Sequence, residues 1–468
     1  MLKDPNPFLR YRYLWLEIVK IINAVLITVP FALVWIKWYY NLISVTYSWR
    51  GMITVIAVFA VCYTMLGRTY QAFTIRSPRR SEIIYSQFLA YFVTDVLLYI
   101  ILCLINDGIL SVIPMLVVLA GQIALSIIWV FGAHNTYHRR VPPARTVVIW
   151  DTREKLDDLI KKKGMEKLFD VQRYVYVDDC INDMAGTLSG CDAAFMLGLH
   201  SHERNQIMKY CLANNIISFI IPRIGDVIMG GAVPNHIFSV PVFSVDKNNA
   251  SFLYFFVKRA FDIIASFMGL VILSPLLAII ALLIKRDGGT AFYKQVRLTK
   301  DGKEFELIKF RSMRMDAEKD GVARLSSGEN DDRITPIGRF IRKCRIDELP
   351  QLINILRGDM SVVGPRPERP EIAAEYEKVM PEFRLRLQAK AGLTGLAQVY
   401  GKYNTTPYDK LLMDLQYLAH PGIAQDVMII FATIKILFMP ESTEGVAAGQ
   451  TTAMEQDIVV NHEEEYKM

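Results

Sequence analysis

The chain has 468 residues, 52% of them hydrophobic and 21% charged, with a formal net charge of +6. That length admits two or three domains, and the composition excludes a disordered polymer or a small disulfide-stapled fold. The positive charge is modest, its location matters more than its total, and no nucleic-acid partner is expected. The cysteines Cys62, Cys103, Cys180, Cys191, Cys211 and Cys344 form no CxxC pair and no Cys/His cluster with zinc spacing, and read as reduced thiols. No cleavable signal peptide is expected, because the first apolar run is too long and no small-residue cleavage site follows it.

Four apolar segments approach the roughly 20 residues needed to cross a bilayer. They lie at 13–36, 51–67, 83–105 and 109–131. Lys3, Arg10 and Arg12 precede the first, Arg68, Arg76, Arg79 and Arg80 lie between the second and third, and Arg139, Arg140 and Arg145 follow the fourth. The two intervening loops are poor in Lys and Arg, so the positive-inside rule places both ends of the bundle in the cytoplasm. Asp95, inside the third segment, is expected to face the bundle interior.

From 145 to 250 short apolar runs alternate with helical stretches. "TVVIW", "YVYV", "AAFMLG", "IISFIIP" and "VPVFSV" read as strands, and "REKLDDLIKKKG" and "HERNQIMKYCLANN" as helices. Such alternation predicts a small Rossmann-like α/β domain. The turn after its first strand, "WDTREK", lacks the glycines a nucleotide site requires, which favours an interaction module.

A fifth apolar run occupies 258–286. Lys258 and Arg259 precede it and Lys285 and Arg286 follow it, so both ends carry the cytoplasmic signature. Ser274 and Pro275 lie at its centre. Proline removes a backbone donor and kinks a helix, and a serine hydroxyl can satisfy the freed carbonyl. A re-entrant helix-break-helix is therefore expected, with a true fifth span as the alternative.

Beyond it, Lys294, Gln295, Arg297, Lys309, Arg311 and Arg314 are interleaved with apolar residues, an arrangement suited to phosphates or to anionic headgroups. The stretch "RKCRIDELPQLINILRGDMSVVGPRP" follows. Asp347 could be a helix N-cap with Pro350 in the first turn. An ionised Asp at a helix start could also attack phosphorus as a covalent nucleophile. Paired with Glu348, it would need a divalent cation such as Mg²⁺ (or Mn²⁺) to stand beside substrate phosphates. Arg342 and Arg366 could neutralise phosphoryl charge, and the prolines around Arg366 restrict its backbone.

"KRAFD", Ser274–Pro275, "KFRSM", "DELPQLINILRGDMSVVGPRP" and "GLTGLAQV" together resemble the bacterial polyprenyl-phosphate hexose-1-phosphate transferases, the large monotopic phosphoglycosyl transferases. The resemblance implies a four-span bundle (1–140), a degenerate nucleotide-fold domain (145–250), a mostly α catalytic domain (258–440) with a re-entrant helix at 258–286, and a flexible tail (441–468). It implies Asp347 and Glu348 as a catalytic, metal-holding dyad, with Arg342, Lys309, Arg311, Arg366, Gln295 and Arg297 on substrate phosphates. The implied reaction passes hexose-1-phosphate from a UDP-hexose to undecaprenyl phosphate and releases UMP, the sugar being glucose or galactose before N-acetylated ones. The implied setting is the bacterial inner membrane, with the catalytic domain on the cytoplasmic face, a homodimer, and glycosyltransferases downstream in exopolysaccharide, capsule or O-antigen synthesis.

Near the C-terminus the chain keeps Asp414, Tyr417 and Asp426, but "HPGIA" replaces a Ser-containing stretch that the family often shows. The segment "IAQDVMIIFATIKILF" after it reads as an interfacial helix. A scaffold or regulator of polysaccharide assembly is one alternative. A nucleotide-sugar dehydratase is another, but it needs a glycine-rich turn and a Tyr-x-x-x-Lys pair that are absent.

Overall fold

The computed structural model describes residues 7–40, 49–77, 79–151, 165–237, 239–246, 250–286, 288–314, 333–401 and 405–437. The helix expected at 153–164 and the tail at 441–468 lie outside the described residues. The chain divides into two compact units, Met1–Ile221 and Pro222–Met468.

The first unit opens with helices α1 (Pro7–Val34, prolonged by a π-turn at Trp35–Tyr39), α2 (Trp49–Thr69), α3 (Arg80–Ile105) and α4 (Ile113–Arg140). All four are long and apolar enough to cross a membrane. Their sparse polar side chains turn inward and bond one another, as helices packed in an apolar medium require. Tyr63 donates to Asn23 Oδ1 at 2.6 Å and Ser126 to Gln87 Oε1 at 2.6 Å. Asp95 is buried and accepts from Gln122.

The same unit continues with β1 (Ala144–Trp150), β2 (Phe169–Tyr176), short helices α5 (Val177–Asn182) and α6 (Met184–Leu188), β3 (Ala193–Leu197), α7 (Ser201–Ala213) and β4 (Ile217–Ile220). The strands form one parallel sheet in the order β2-β1-β3-β4. Central β1 buries Val147, Val148 and Ile149 completely, the continuous apolar run that a strand covered on both faces needs.

The second unit begins with α8 (Ile224–Gly230), β5 (Val233–Ile237) and β6 (Val240–Ser244). Here the expectation needs correction: "VPVFSV" is a strand, but it pairs antiparallel with β5 and takes no part in the parallel sheet. Only two residues of chain separate β5 from β6, enough to join antiparallel neighbours but too few for a crossover.

Next comes α9 (Phe252–Lys285), a single 34-residue helix in which helical structure runs unbroken across Ser274–Pro275, where a break was expected. Pro275 would leave the Val271 carbonyl without its donor, and the Ser274 hydroxyl takes that carbonyl at 2.8 Å. The unit covers α9 towards its two ends, where Tyr254, Asp262 and Ser266 and then Ile280 and Ile284 are buried, whereas no residue from 267 to 279 is buried and Phe267, Ile272 and Leu282 are 60–68% exposed.

The remainder consists of β7 (Phe292–Leu298), β8 (Glu304–Phe310), α10 (Pro336–Lys343), α11 (Gln351–Arg357), β9 (Met360–Val363), α12 (Pro370–Val379), β10 (Ala391–Thr394), α13 (Leu396–Tyr400), α14 (Pro407–Ala419) and α15 (Ile423–Leu437). β7 and β8 form an antiparallel hairpin and β9 and β10 a parallel pair. Thr335 and Thr406 cap α10 and α14, each with a proline at the first helical positions. The "KRAFD" charges dock α9. Lys258 lies 2.7 Å from Asp426, Arg259 donates to the Ile355 and Leu356 carbonyls, and Asp262 accepts from the Val362 amide at 2.9 Å.

Candidate active site

The site is assembled where α10 gives way to α11. Arg345 adopts a left-handed backbone (φ 53°), strained for a residue with a side chain, and turns the chain into a 3-10 segment, Ile346–Glu348. Pro350 and α11 follow, and α11 ends at Gly358, whose φ of 94° suits only glycine. Asn354 on α11 is wholly buried. Its Oδ1 accepts from the Ile308 amide at 3.0 Å and its Nδ2 donates to the Glu306 carbonyl at 2.8 Å. Those bonds fix β8 beside the turn, so that the next residue, Lys309, stands over the carboxylates.

Lys309 Nζ lies 3.5 Å from Glu348 Oε1, and Arg366 Nη2 lies 3.2 Å from the same oxygen. Arg366 also donates to Gln398 Oε1 at 3.1 Å. Its turn, Gly364–Pro367, crosses the β9–β10 pair so closely that a Cβ on Gly364 would strike the Lys390 carbonyl.

The two carboxylates are pushed apart electrostatically. Burial, then the adjacent Glu348 charge, raises Asp347 to about 6 against the opposing pull of Lys309, Arg342 and Arg366. Burial also works to raise Glu348, but Lys309, Arg366 and Arg345 outweigh it and hold that carboxyl well below the usual range. Burial in turn lowers Lys309, while Glu348 raises Arg366. Among the described residues none donates a hydrogen bond to Asp347. The pair therefore combines a pinned carboxylate, Glu348, with an unengaged one, Asp347.

Of the residues named from sequence, Asp347, Glu348, Lys309 and Arg366 converge, and Arg342 is near enough for Asp347 to feel its charge. The others are placed elsewhere. Arg311, expected on a phosphate, is buried and donates at 3.0 Å to the Ile284 carbonyl at the end of α9. It satisfies a helix terminus, a role the spacing of "KFRSM" does not distinguish from anion binding. Arg297 donates to the Pro367 carbonyl at 3.2 Å and to Gln295 Oε1 at 2.6 Å, so both support the underside of the Arg366 turn. Burial lowers Arg297 to about 10. Ser274 and Pro275 lie on the exposed side of α9.

Asn354, Gln398, Glu368 and Arg386 escaped the sequence reading. Asn354 was hidden inside the "DELPQLINIL" helix, where an asparagine on the apolar face was the available signal. Asp414 and Tyr417, three residues apart, serve different networks. Asp414 faces Arg386 at 2.7 Å, and Tyr417 donates to Asp426 at 2.8 Å.

A divalent cation can be weighed against these donors. Among the described residues no cluster of three metal-ligating side chains exists. Asp347 and Glu348 alone suit a hard ion that draws its other ligands from substrate phosphates and water, as Mg²⁺ does.

Paired carboxylates beneath Lys309 and Arg366, in the unit that carries the long apolar helix α9, form a site whose cations suit an anionic ligand. Residues 253–440 match the family model described as bacterial sugar transferase. The "UDP-galactose-lipid carrier transferase" of Erwinia amylovora is 35% identical over 270 residues, 54% of this chain and 56% of that protein. The "undecaprenyl-phosphate galactose phosphotransferase" of Salmonella typhimurium is 42% identical over 196 residues, 39% of this chain and 40% of that one. The "exopolysaccharide production protein PSS" of Rhizobium leguminosarum bv. phaseoli is 43% identical over 187 residues, which are 38% of this chain and 92% of that protein. The chain belongs to the bacterial sugar transferase family. It spans about half or less of the length of the first two relatives.

Proposed function

We propose that the protein transfers a hexose-1-phosphate from a UDP-hexose to undecaprenyl phosphate at the cytoplasmic face of a bacterial inner membrane, releasing UMP. Such a step would begin the building of an exopolysaccharide, capsule or O-antigen repeat for downstream glycosyltransferases. The observation that carries the reading is the division of labour in the dyad: Glu348 is neutralised by Lys309 and Arg366, while Asp347 has no hydrogen-bonding partner among the described residues. The relatives' names, one for a UDP-galactose-lipid carrier transferase and one for an undecaprenyl-phosphate galactose phosphotransferase, support the substrate classes.

In this mechanism an Asp347 oxygen attacks the sugar-bearing phosphorus of the UDP-hexose. The bond from that phosphorus to the bridging oxygen breaks, and UMP departs with the electron pair. The lipid phosphate then attacks the same phosphorus, the aspartyl bond breaks and the carboxylate is restored. Lys309 and Arg366 balance charge on the phosphoryl oxygens, and Arg342, whose guanidinium carries no bond among the described residues, is placed to receive a second phosphate. Mg²⁺ (or Mn²⁺) held by Asp347 and Glu348 would offset the repulsion between carboxylates and phosphates.

Re-entry of α9 accords with cover by the unit towards its two ends and an exposed middle, 267–279, and it requires the helix to bend at Pro275. A spanning helix would carry its ends to opposite sides of about 30 Å of hydrocarbon. Both ends of α9 instead engage the second unit, through Lys258 on Asp426 and the Ile284 carbonyl on Arg311.

The test is UMP release by purified chain in nanodiscs with undecaprenyl phosphate, Mg²⁺ and a series of UDP-sugars. Asp347→Asn should abolish release, and exposed Lys378→Ala should leave it unchanged. Absence of UMP with every donor, from folded protein, would refute the proposal. A scaffold role is the second reading, and Asp347→Asn would leave such a role intact.

A further inference from the structure

Arg386 and Asp414 are 5% and 1% exposed, deep burial for two charges of the second unit. Their contacts lead to the turn that carries Arg366. Arg386 Nη2 donates to the Arg366 carbonyl at 2.8 Å and lies 2.7 Å from Asp414 Oδ2. Its Nη1 lies 3.7 Å from Glu368. Arg297 grips the following carbonyl, that of Pro367, at 3.2 Å. Two guanidinium groups thus hold the backbone of the Arg366 turn, and the Arg366 side chain projects from it toward Glu348 and Gln398.

A buried ion pair is an expensive way to fill space, because apolar side chains of similar volume pack as well without the desolvation. What a guanidinium adds is a planar fork: here Nη2 meets the Asp414 carboxylate and the Arg366 carbonyl while Nη1 faces Glu368. We infer that the Arg386–Asp414 pair is a positioning device: it holds the Arg366 backbone so that the Arg366 guanidinium stays aimed at a substrate phosphate. Asp414 orients Arg386, Arg386 clasps the turn, and neither touches substrate. The inference rests on the proposed role of Arg366 at a phosphate.

The experiment is a double-variant cycle on the full chain in detergent, with UDP-hexose affinity read from thermal stabilisation and kcat/KM for UMP release measured beside it. The four proteins are wild type, Arg386→Lys, Arg366→Ala and the double variant. Lysine keeps the charge but has one rotatable nitrogen in place of a rigid fork, so it cannot meet Asp414, the Arg366 carbonyl and Glu368 from fixed positions. Arg386→Lys should weaken UDP-hexose binding about tenfold in the wild-type background and less than about twofold once Arg366 is alanine, the coupling expected of residues acting through one another. Asp414→Asn should repeat the pattern, and it carries the cycle if Arg386→Lys does not fold. An equal loss in both backgrounds, or no loss in the first, would overturn the inference. Coupled binding losses in a protein that releases no UMP would keep the inference and refute the transfer reading. A wild-type chain that does not bind UDP-hexose would refute both.

Discussion

Asp347 and Glu348 are adjacent in sequence and opposite in environment, and two predictions follow from that contrast. Asp347 must be ionised to attack phosphorus, and it is raised to about 6. The rate should therefore climb as pH rises through about 6, and Glu348→Gln, by removing the second-largest cause of the raised value, should move that acidic limb of kcat/KM to lower pH. An unmoved limb would count against Asp347 as the titrating group. The same shift bears on stability. A carboxyl raised in the folded state stabilises below its unfolded value, 3.8, and that contribution is lost as pH rises through about 6. Asp347→Asn should accordingly melt higher than wild type at pH 7.5, by up to about 3 kcal/mol, and show little difference near pH 4. A third prediction concerns Arg311, which serves the end of α9. Arg311→Ala should lower stability by about 1.5–3 kcal/mol, the worth of a hydrogen bond from a charged donor, with the KM for UDP-hexose unchanged. A large rise in KM would return Arg311 to the phosphate site.

At the scale of elements, α9 shows why composition alone misleads. By length and hydropathy it is the equal of the four N-terminal helices. Yet it buries residues towards its two ends against the second unit, Asp262 and Ser266 among them, and leaves no residue of its middle, 267–279, buried. If α9 is re-entrant, single cysteines introduced at Ala250 and Thr290 should react with a membrane-impermeant maleimide from the same side of sealed vesicles. Labelling from opposite sides would make α9 a fifth span. The proline at its centre was legible in sequence, as was the serine's capacity to satisfy the freed carbonyl. That the hydroxyl would replace the lost bond so directly that the helix continues was not legible, because it depends on the side-chain rotamer and on the 2.8 Å approach to Val271.

At the scale of the whole molecule, the match to residues 253–440 and the Rhizobium relative, 92% of which is matched by 187 residues, locate the family's shared part in the second unit. Residues 222–468 expressed alone should release UMP within about tenfold of the full chain, a factor equivalent to roughly 1.4 kcal/mol. Loss of release from a folded fragment would assign a catalytic part to the first unit. What the sequence by itself determined is whatever local pattern carries. The apolar runs became long helices, the β-branched runs became strands, and the motifs placed Asp347, Glu348, Lys309 and Arg366 in one site. Tertiary structure alone decided where each remaining charge goes. Arg311 and Arg297 have the same local signature as Lys309, yet Arg311 satisfies a helix end, Arg297 braces a turn, and Lys309 stands over a carboxylate. An arginine's partner is set by which carbonyl or carboxylate the fold brings within about 3 Å, and no spacing along the chain encodes that distance.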